Sequence, residues 1–228
     1  MKYTPPNPAL DTQIVEIKSK IRLSMNGIVS GQMVQNGILY KKNFGVSIPR
    51  IKEIASMYSP DHGLAQRLWD LKIRETMILA TLLEPKEIFD RQFAQEMVES
   101  FQQIEIAEQA CMNLFSKVAE SVALSIEWIQ SEKPWIRITG FMLAARIYDL
   151  PDKKDSDFII HQAIKDACTD NFHLYKAVGL CLSRFCRKDK ETSAYILKEI
   201  DALPQKTSMG QQYISNEVKQ EILFLNNL

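Results

Sequence analysis

Along most of this 228-residue chain, apolar positions return at three- and four-residue steps. That spacing lays one face of an α-helix against a core. The two-residue alternation of a half-buried strand never lasts beyond a few positions. The clearest run is Trp128–Ile147, WIQSEKPWIRITGFMLAARI. It predicts the end of one helix, a tight corner at Glu132–Lys133–Pro134, and a second helix from Trp135. Pro134 suits a first helical turn, where its missing N–H is no loss. Behind the corner, Ile138, Phe141, Met142 and Ala145 form one apolar face.

The same unit recurs. Laid without gaps, Trp135–Ile147 matches His173–Phe185, with Arg146 falling on Arg184 at an offset of 38 residues. A looser copy begins at Trp69 and puts Arg74 where Arg137 stands, and Glu105–Phe115 is a further one. Helical pairs recurring every ~40 residues indicate a HEAT-type α-solenoid. The expected fold is all-α, a single domain over 1–228 of about six antiparallel helix pairs.

Taken in order, Asp11 can cap a first helix running to about Met25, with Ile14, Ile17, Ile21 and Met25 on one face. Asn26–Gly27 and Ser30–Gly31 then read as breaks, and turns follow at Asn36–Gly37 and Asn43–Gly45. Ser47 caps the next helix, with Pro49 in its first turn. Leu71–Lys72 makes a corner, Pro85 closes a helix, and further helices follow to the end of the chain. The obvious loop among the last of them is Leu203–Gly210. Val218, Ile222 and Leu225 mark a terminal helix of the kind that caps an array.

Composition narrows the picture. Hydrophobic residues make up 46% and charged residues 25%, ordinary for a soluble globular chain. No run approaches the ~18 apolar residues of a membrane span. The first residues lack the apolar core of a signal peptide. A cytoplasmic, monomeric protein without a cofactor is expected. The cysteines (Cys111, Cys168, Cys181, Cys186) and the histidines (His62, His161, His173) show no paired metal-ligand spacing, so no metal site is predicted. The 28 basic and 28 acidic residues cancel. Affinity for nucleic acid comes largely from neutralised phosphates, so a DNA-binding role would need basic groups segregated on one face.

Two sets of cations are candidates. Arg137, Arg146 and Arg184 recur in phase, either as a basic ladder or as partners for acids of the neighbouring repeat. Lys41, Lys42, Arg50 and Lys52 cluster near a helix start, where backbone N–H groups also favour phosphate; the alternative is a soluble basic corner. Trp69, Trp128 and Trp135 sit beside apolar periodicity and are expected in the core.

Tyr40-Lys-Lys-Asn-Phe-Gly-Val-Ser-Ile-Pro, then Leu68-Trp-Asp with Arg74-Glu, then Trp128-Ile-Gln-Ser with Trp135, resemble the AlkD-like DNA alkylation repair family from about Ile14 onward. The resemblance implies a HEAT-like solenoid cradling duplex DNA in a concave groove. It also implies hydrolysis of the N-glycosidic bond of cationic N3- or N7-alkylpurines by an aspartate, an arginine and two tryptophans. The family's aspartate falls on Glu108 or Gln109, its arginine on Ile138, beside Arg137, and its second tryptophan on Leu180. Glu108 is thus the candidate catalytic residue, with solvated helix surface as its plainer role. The expected function is binding of duplex or damaged DNA with glycosylase activity weak or lost. The alternative is a non-catalytic scaffold for a protein partner.

Overall fold

The computed structural model describes residues 7–204 and 208–227. Among these residues there are thirteen α-helices, a single 3-10 turn and no strand beyond one isolated parallel bridge, Lys42 to Ile73. The described residues group into two compact units that meet in sequence at Leu114 and Phe115.

The first unit holds α1 (Pro8–Leu23), α2 (Gly27–Gln35), α3 (Ile48–Ala55), α4 (His62–Asp70), α5 (Arg74–Leu83), α6 (Arg91–Glu99) and α7 (Ile104–Asn113). Its centre is α5, in which Arg74–Thr81 is buried without interruption. A helix hidden on all sides belongs in the middle of a packed layer. The Leu83 carbonyl accepts from the Asp61 amide at 2.9 Å, tying the end of α5 to the start of α4 as an antiparallel pair. The corner between them passes through Lys72 at φ 53°, the one left-handed non-glycine among the described residues.

Three expectations about this unit need correcting. The first helix is capped by Asn7, whose side chain accepts from the Leu10 amide, and not by Asp11, which lies inside it. Pro8 in the first turn makes the earlier start favourable. Met25 lies past the end of α1 and is 66% exposed, so it leaves the predicted face. The Asn26–Gly27 and Ser30–Gly31 breaks are instead a helix, α2. The Asn26 carboxamide accepts from the amides of Ile28 and Val29 at 3.1 Å, which turns an apparent breaker into a cap.

The second unit holds α8 (Ser121–Ile129), α9 (Pro134–Arg146), α10 (Lys153–Lys165), α11 (Phe172–Phe185), α12 (Lys190–Ala202) and α13 (Met209–Asn226), preceded by the 3-10 turn Phe115–Lys117. Here α9 packs on α8 and α11, and α11 on α13, while α10 lies against α8, α11 and α12. The helices therefore form two layers, α9, α11 and α13 in one and α8, α10 and α12 in the other. This is the layering of stacked helical pairs that the 38-residue repeat predicts. The predicted single apolar face of α9 is too narrow, since Ile138–Ala145 is buried throughout. Gly140 makes that possible: a Cβ there would come within 2.5 Å of the Ile129 backbone nitrogen, so only glycine lets α9 lie so close to α8. Part of the Leu203–Gly210 loop falls outside the described residues.

Trp69 and Trp128 are core residues as predicted, at 2% and 1% exposure. Trp135 is not, because it sits half-buried at the start of α9. The four cysteines are free thiols. Cys111, Cys181 and Cys186 are buried, whereas Cys168 is exposed. Burial pushes the Cys186 thiol up to about 12, with Glu221 adding to the effect.

Candidate functional site

In the first unit, the segment Tyr40–Pro49 that carries much of the family resemblance is held by a buried polar network. Arg74 leaves the start of α5 and grips Glu105 of α7 in a two-pronged pair, Nε to Oε2 at 2.8 Å and Nη2 to Oε1 at 2.5 Å. Its Nη1 donates to the Val46 carbonyl at 2.8 Å and to Glu75 Oε1 at 3.1 Å. Glu75, fully buried, accepts from the amides of Phe44 and Val46, each at 3.2 Å. Tyr40 donates its hydroxyl to Glu105 at 3.0 Å. Burial is the main reason its phenol is raised far above the ordinary range, and Glu105 adds to it. Burial works against the charge on Arg74, but the Glu105 and Glu75 carboxylates win and hold its guanidinium above the usual value. The loop can turn back here because Gly45 takes φ 69°, with the Asn26 carbonyl only 2.2 Å from where a Cβ would stand.

In the second unit, Arg137 repeats the same grip. Its Nε and Nη2 meet Asp166, the C-cap of α10, at 2.5 and 2.9 Å, and Nη1 reaches the Ser131 carbonyl at 3.4 Å. Of the two readings of Arg137, Arg146 and Arg184, pairing with an acid is seen at Arg137, and Arg74, its counterpart in the first unit, pairs in the same way. Arg146 is exposed at the end of α9, and Arg184 is half-buried on α11.

The remaining candidate cations all lie in the first unit. Lys41 and Lys52 are exposed; Lys42 sits over the Phe44 ring at 5.0 Å. Arg50 is engaged twice, with Nε on Ser24 Oγ at 3.0 Å and Nη1 on Glu53 at 2.7 Å.

Of the positions matched to the family's catalytic groups, Glu108 is exposed on α7. Gln109 is 8% exposed, and its Oε1 accepts from Asn113, which also donates to Thr81 Oγ1. Gln109 is thus neutral and bonded within α7, and Asn113 makes the bridge from α7 to α5. Ile138 is 2% exposed and Leu180 is 40% exposed, neither bringing a charge or a ring.

The sequence reading missed the two acidic partners, Glu105 and Asp166, which stand 31 and 29 residues beyond their arginines. The two spacings are similar but unequal, and no local pattern marks either acid. It also missed a row of rings at the N-terminal ends of α9, α11 and α13. Trp135 lies tilted on His173 at 5.3 Å between centroids, joining two repeat-equivalent positions. Phe172 meets His173 and Tyr175 edge-on, and Tyr175 meets Tyr213 at 5.4 Å. Among the described residues, no cluster of three or more His, Cys, Asp or Glu side chains is placed to hold a metal ion. Nor is any helix among them long and apolar enough to cross a membrane.

A family model described as DNA alkylation repair enzyme matches residues 32–209. A solved structure described as "a new family of proteins related to the HEAT-like repeat DNA glycosylases with affinity for branched DNA structures" superposes with a TM-score of 0.74 at 11% identity, covering 92% of this chain and 93% of that one. At that identity the likeness establishes the HEAT-like fold. No curated protein matches the chain.

Proposed function

This chain belongs to the DNA alkylation repair enzyme family, and from that premise we propose that it binds duplex or damaged DNA while excising alkylated purines weakly or not at all. The observation that carries the second half is the state of the matched positions. A departing cationic purine leaves an oxocarbenium-like sugar, which a nearby carboxylate stabilises. Of the two candidate positions for it, Gln109 is neutral and already bonded to Asn113, so only exposed Glu108 can supply the charge. Ile138 and Leu180 cannot supply charge-assisted or cation–π contacts. Pre-organised groups of that kind contribute roughly 3 kcal/mol each, on the order of a hundredfold in rate. Nearby Arg137 is no substitute while Asp166 holds its guanidinium at two points.

Support for DNA binding comes from the family, from the described affinity of the similar solved structure for branched DNA, and from Lys41, Lys52 and Arg146, which face solvent. Lys42, Arg50 and Arg184 add charge nearby in their own units. With ~4 phosphates neutralised, log K falls against log salt at a slope near −3.6. Reversal of Arg146 and Arg184 to Glu weakens binding to all sequences alike. The deciding experiment follows release of N7-methylguanine from duplex DNA under single-turnover conditions, beside a salt titration of binding. Robust release by the unmodified protein refutes weak excision. Absence of binding at low salt refutes the DNA reading.

A second reading, a scaffold for a protein partner, draws on α2. No residue of that helix is buried, Ile28 and Val34 are 76% and 53% exposed, and no charge occurs between Arg22 and Lys41. Retention of a protein ligand after loss of Ile28 and Val34 would argue against that surface.

A further inference from the structure

The row of rings in the second unit has a composition that core packing does not explain. Phe172 is 56% exposed, although burying such a ring is worth about 1.5–3 kcal/mol. Trp135, His173 and Tyr213 are half-buried, and Tyr175 beneath them is 6% exposed. Ring contacts run from Trp135 through His173, Phe172 and Tyr175 to Tyr213, so one surface spans the starts of three helices. Lys176 lies between two of the rings, its Nζ 3.7 Å from the Tyr213 centroid and 5.7 Å from that of Phe172.

The charges around this surface are uneven. Of the nearby acids, Asp166 is neutralised by Arg137, whereas Asp170, which accepts from the Met209 amide at 3.3 Å, keeps its charge. Among the described residues no salt bridge involves Lys176, and its Nζ lies over two ring faces. The helix starts add partial positive charge to the same edge. A ligand that suits these features offers a flat aromatic face and an anion at short intervals. Duplex DNA hides its base faces, whereas single-stranded DNA presents both.

We propose that the N-terminal ends of α9, α11 and α13 form a stacking platform for unpaired bases of single-stranded DNA, with Lys176 meeting the adjoining phosphate. The platform rests on the DNA-binding reading above and specifies the form of DNA that this unit prefers. Phe172 and Trp135 supply the faces. His173 and Tyr175 set their tilt from below and beside.

The test uses the full chain with a labelled blunt duplex, the same duplex bearing a single-stranded tail, and a free single strand of thymidines. The tailed duplex binds more tightly than the blunt one. Phe172→Ala removes that preference, a loss of roughly tenfold on the tailed DNA for one base stack, and leaves blunt-duplex binding and helical content unchanged. Lys176→Gln lowers the salt slope on the single strand by about 0.7. Since Trp69 and Trp128 are buried at 2% and 1% exposure, quenching of tryptophan emission by the single strand comes from Trp135 and disappears in Trp135→Phe. Equal affinity for tailed and blunt DNA, or a Phe172→Ala protein that keeps the preference, overturns the platform and leaves the duplex reading standing. No affinity for any of the three DNAs overturns both.

Discussion

Arg74 and Arg137 occupy equivalent places in the repeat and make the same contact, Nε and Nη2 on a carboxylate about one repeat further on. What surrounds them differs. Arg74 is 5% exposed by side chain and answers two carboxylates and a carbonyl. Arg137 is 23% exposed, and among the described residues Asp166 is the one carboxylate paired with it. Removing one partner of a buried pair leaves an unmatched charge in low dielectric, whereas water can take over at a half-open one. One repeated motif thus yields a fold-determining centre in one unit and an ordinary tether in the other.

Truncation separates the two arginines by the largest margin. Arg74→Ala strands Glu75 with no guanidinium and should cost about 3–5 kcal/mol, measured by urea unfolding. Arg137→Ala should cost about 1 kcal/mol, and raised salt should erase part of that difference. Equal losses at the two sites would show that burial does not separate them.

A buried carboxylate without an arginine sharpens the point. Glu84 is 1% exposed, its Oε1 meets His62 Nδ1 at 2.8 Å, and its Oε2 lacks a hydrogen-bond partner among the described residues. Burial raises its carboxyl above the usual range; His62 opposes this in part, and Asp90 and Asp61 add to it. A group with a raised folded value keeps its proton longer when folded. Its contribution is then complete below the unfolded value of about 4.3 and is lost as pH rises through the raised one. Unfolding free energy of the natural chain should fall across that window relative to Glu84→Gln, whose profile should be flatter. The smallest effect belongs to exposed Glu108. Glu108→Gln should leave stability within about 0.5 kcal/mol, yet abolish whatever base release the protein retains. Release that persists in this variant would place the catalytic helix in a different register.

The fold was legible because periodicity is local. Trp135 and His173, aligned by sequence alone, stack on one another in space. Gly27 and Gly31 misled because a glycine's meaning depends on what precedes it, and Asn26 made a cap of that stretch. The site was legible only in part. Arg137 and Asp166 are 29 residues apart, and no local pattern distinguishes a cation that faces solvent from one that a distant acid holds. The motif residues Tyr40, Arg74 and Glu75 marked the family correctly, and in the structure they fix a loop through buried hydrogen bonds.

That loop has a consequence for local opening. Helix α2 buries none of its residues, and among its attachments are the Asn26 amide on the Phe44 carbonyl, Ser30 Oγ on that of Asn43 and the Asn43 side-chain amide on Met33 Sδ. Phe44 is in turn held through its amide by Glu75. Release of Glu75 therefore loosens α2 together with Phe44, at the low-stability end of the molecule, while Glu105 still holds Tyr40 and Arg74 still holds the Lys42 and Val46 carbonyls. Amide deuterium uptake at Phe44 and Val46 should rise in step with that of α2, well before the amides of α5 exchange.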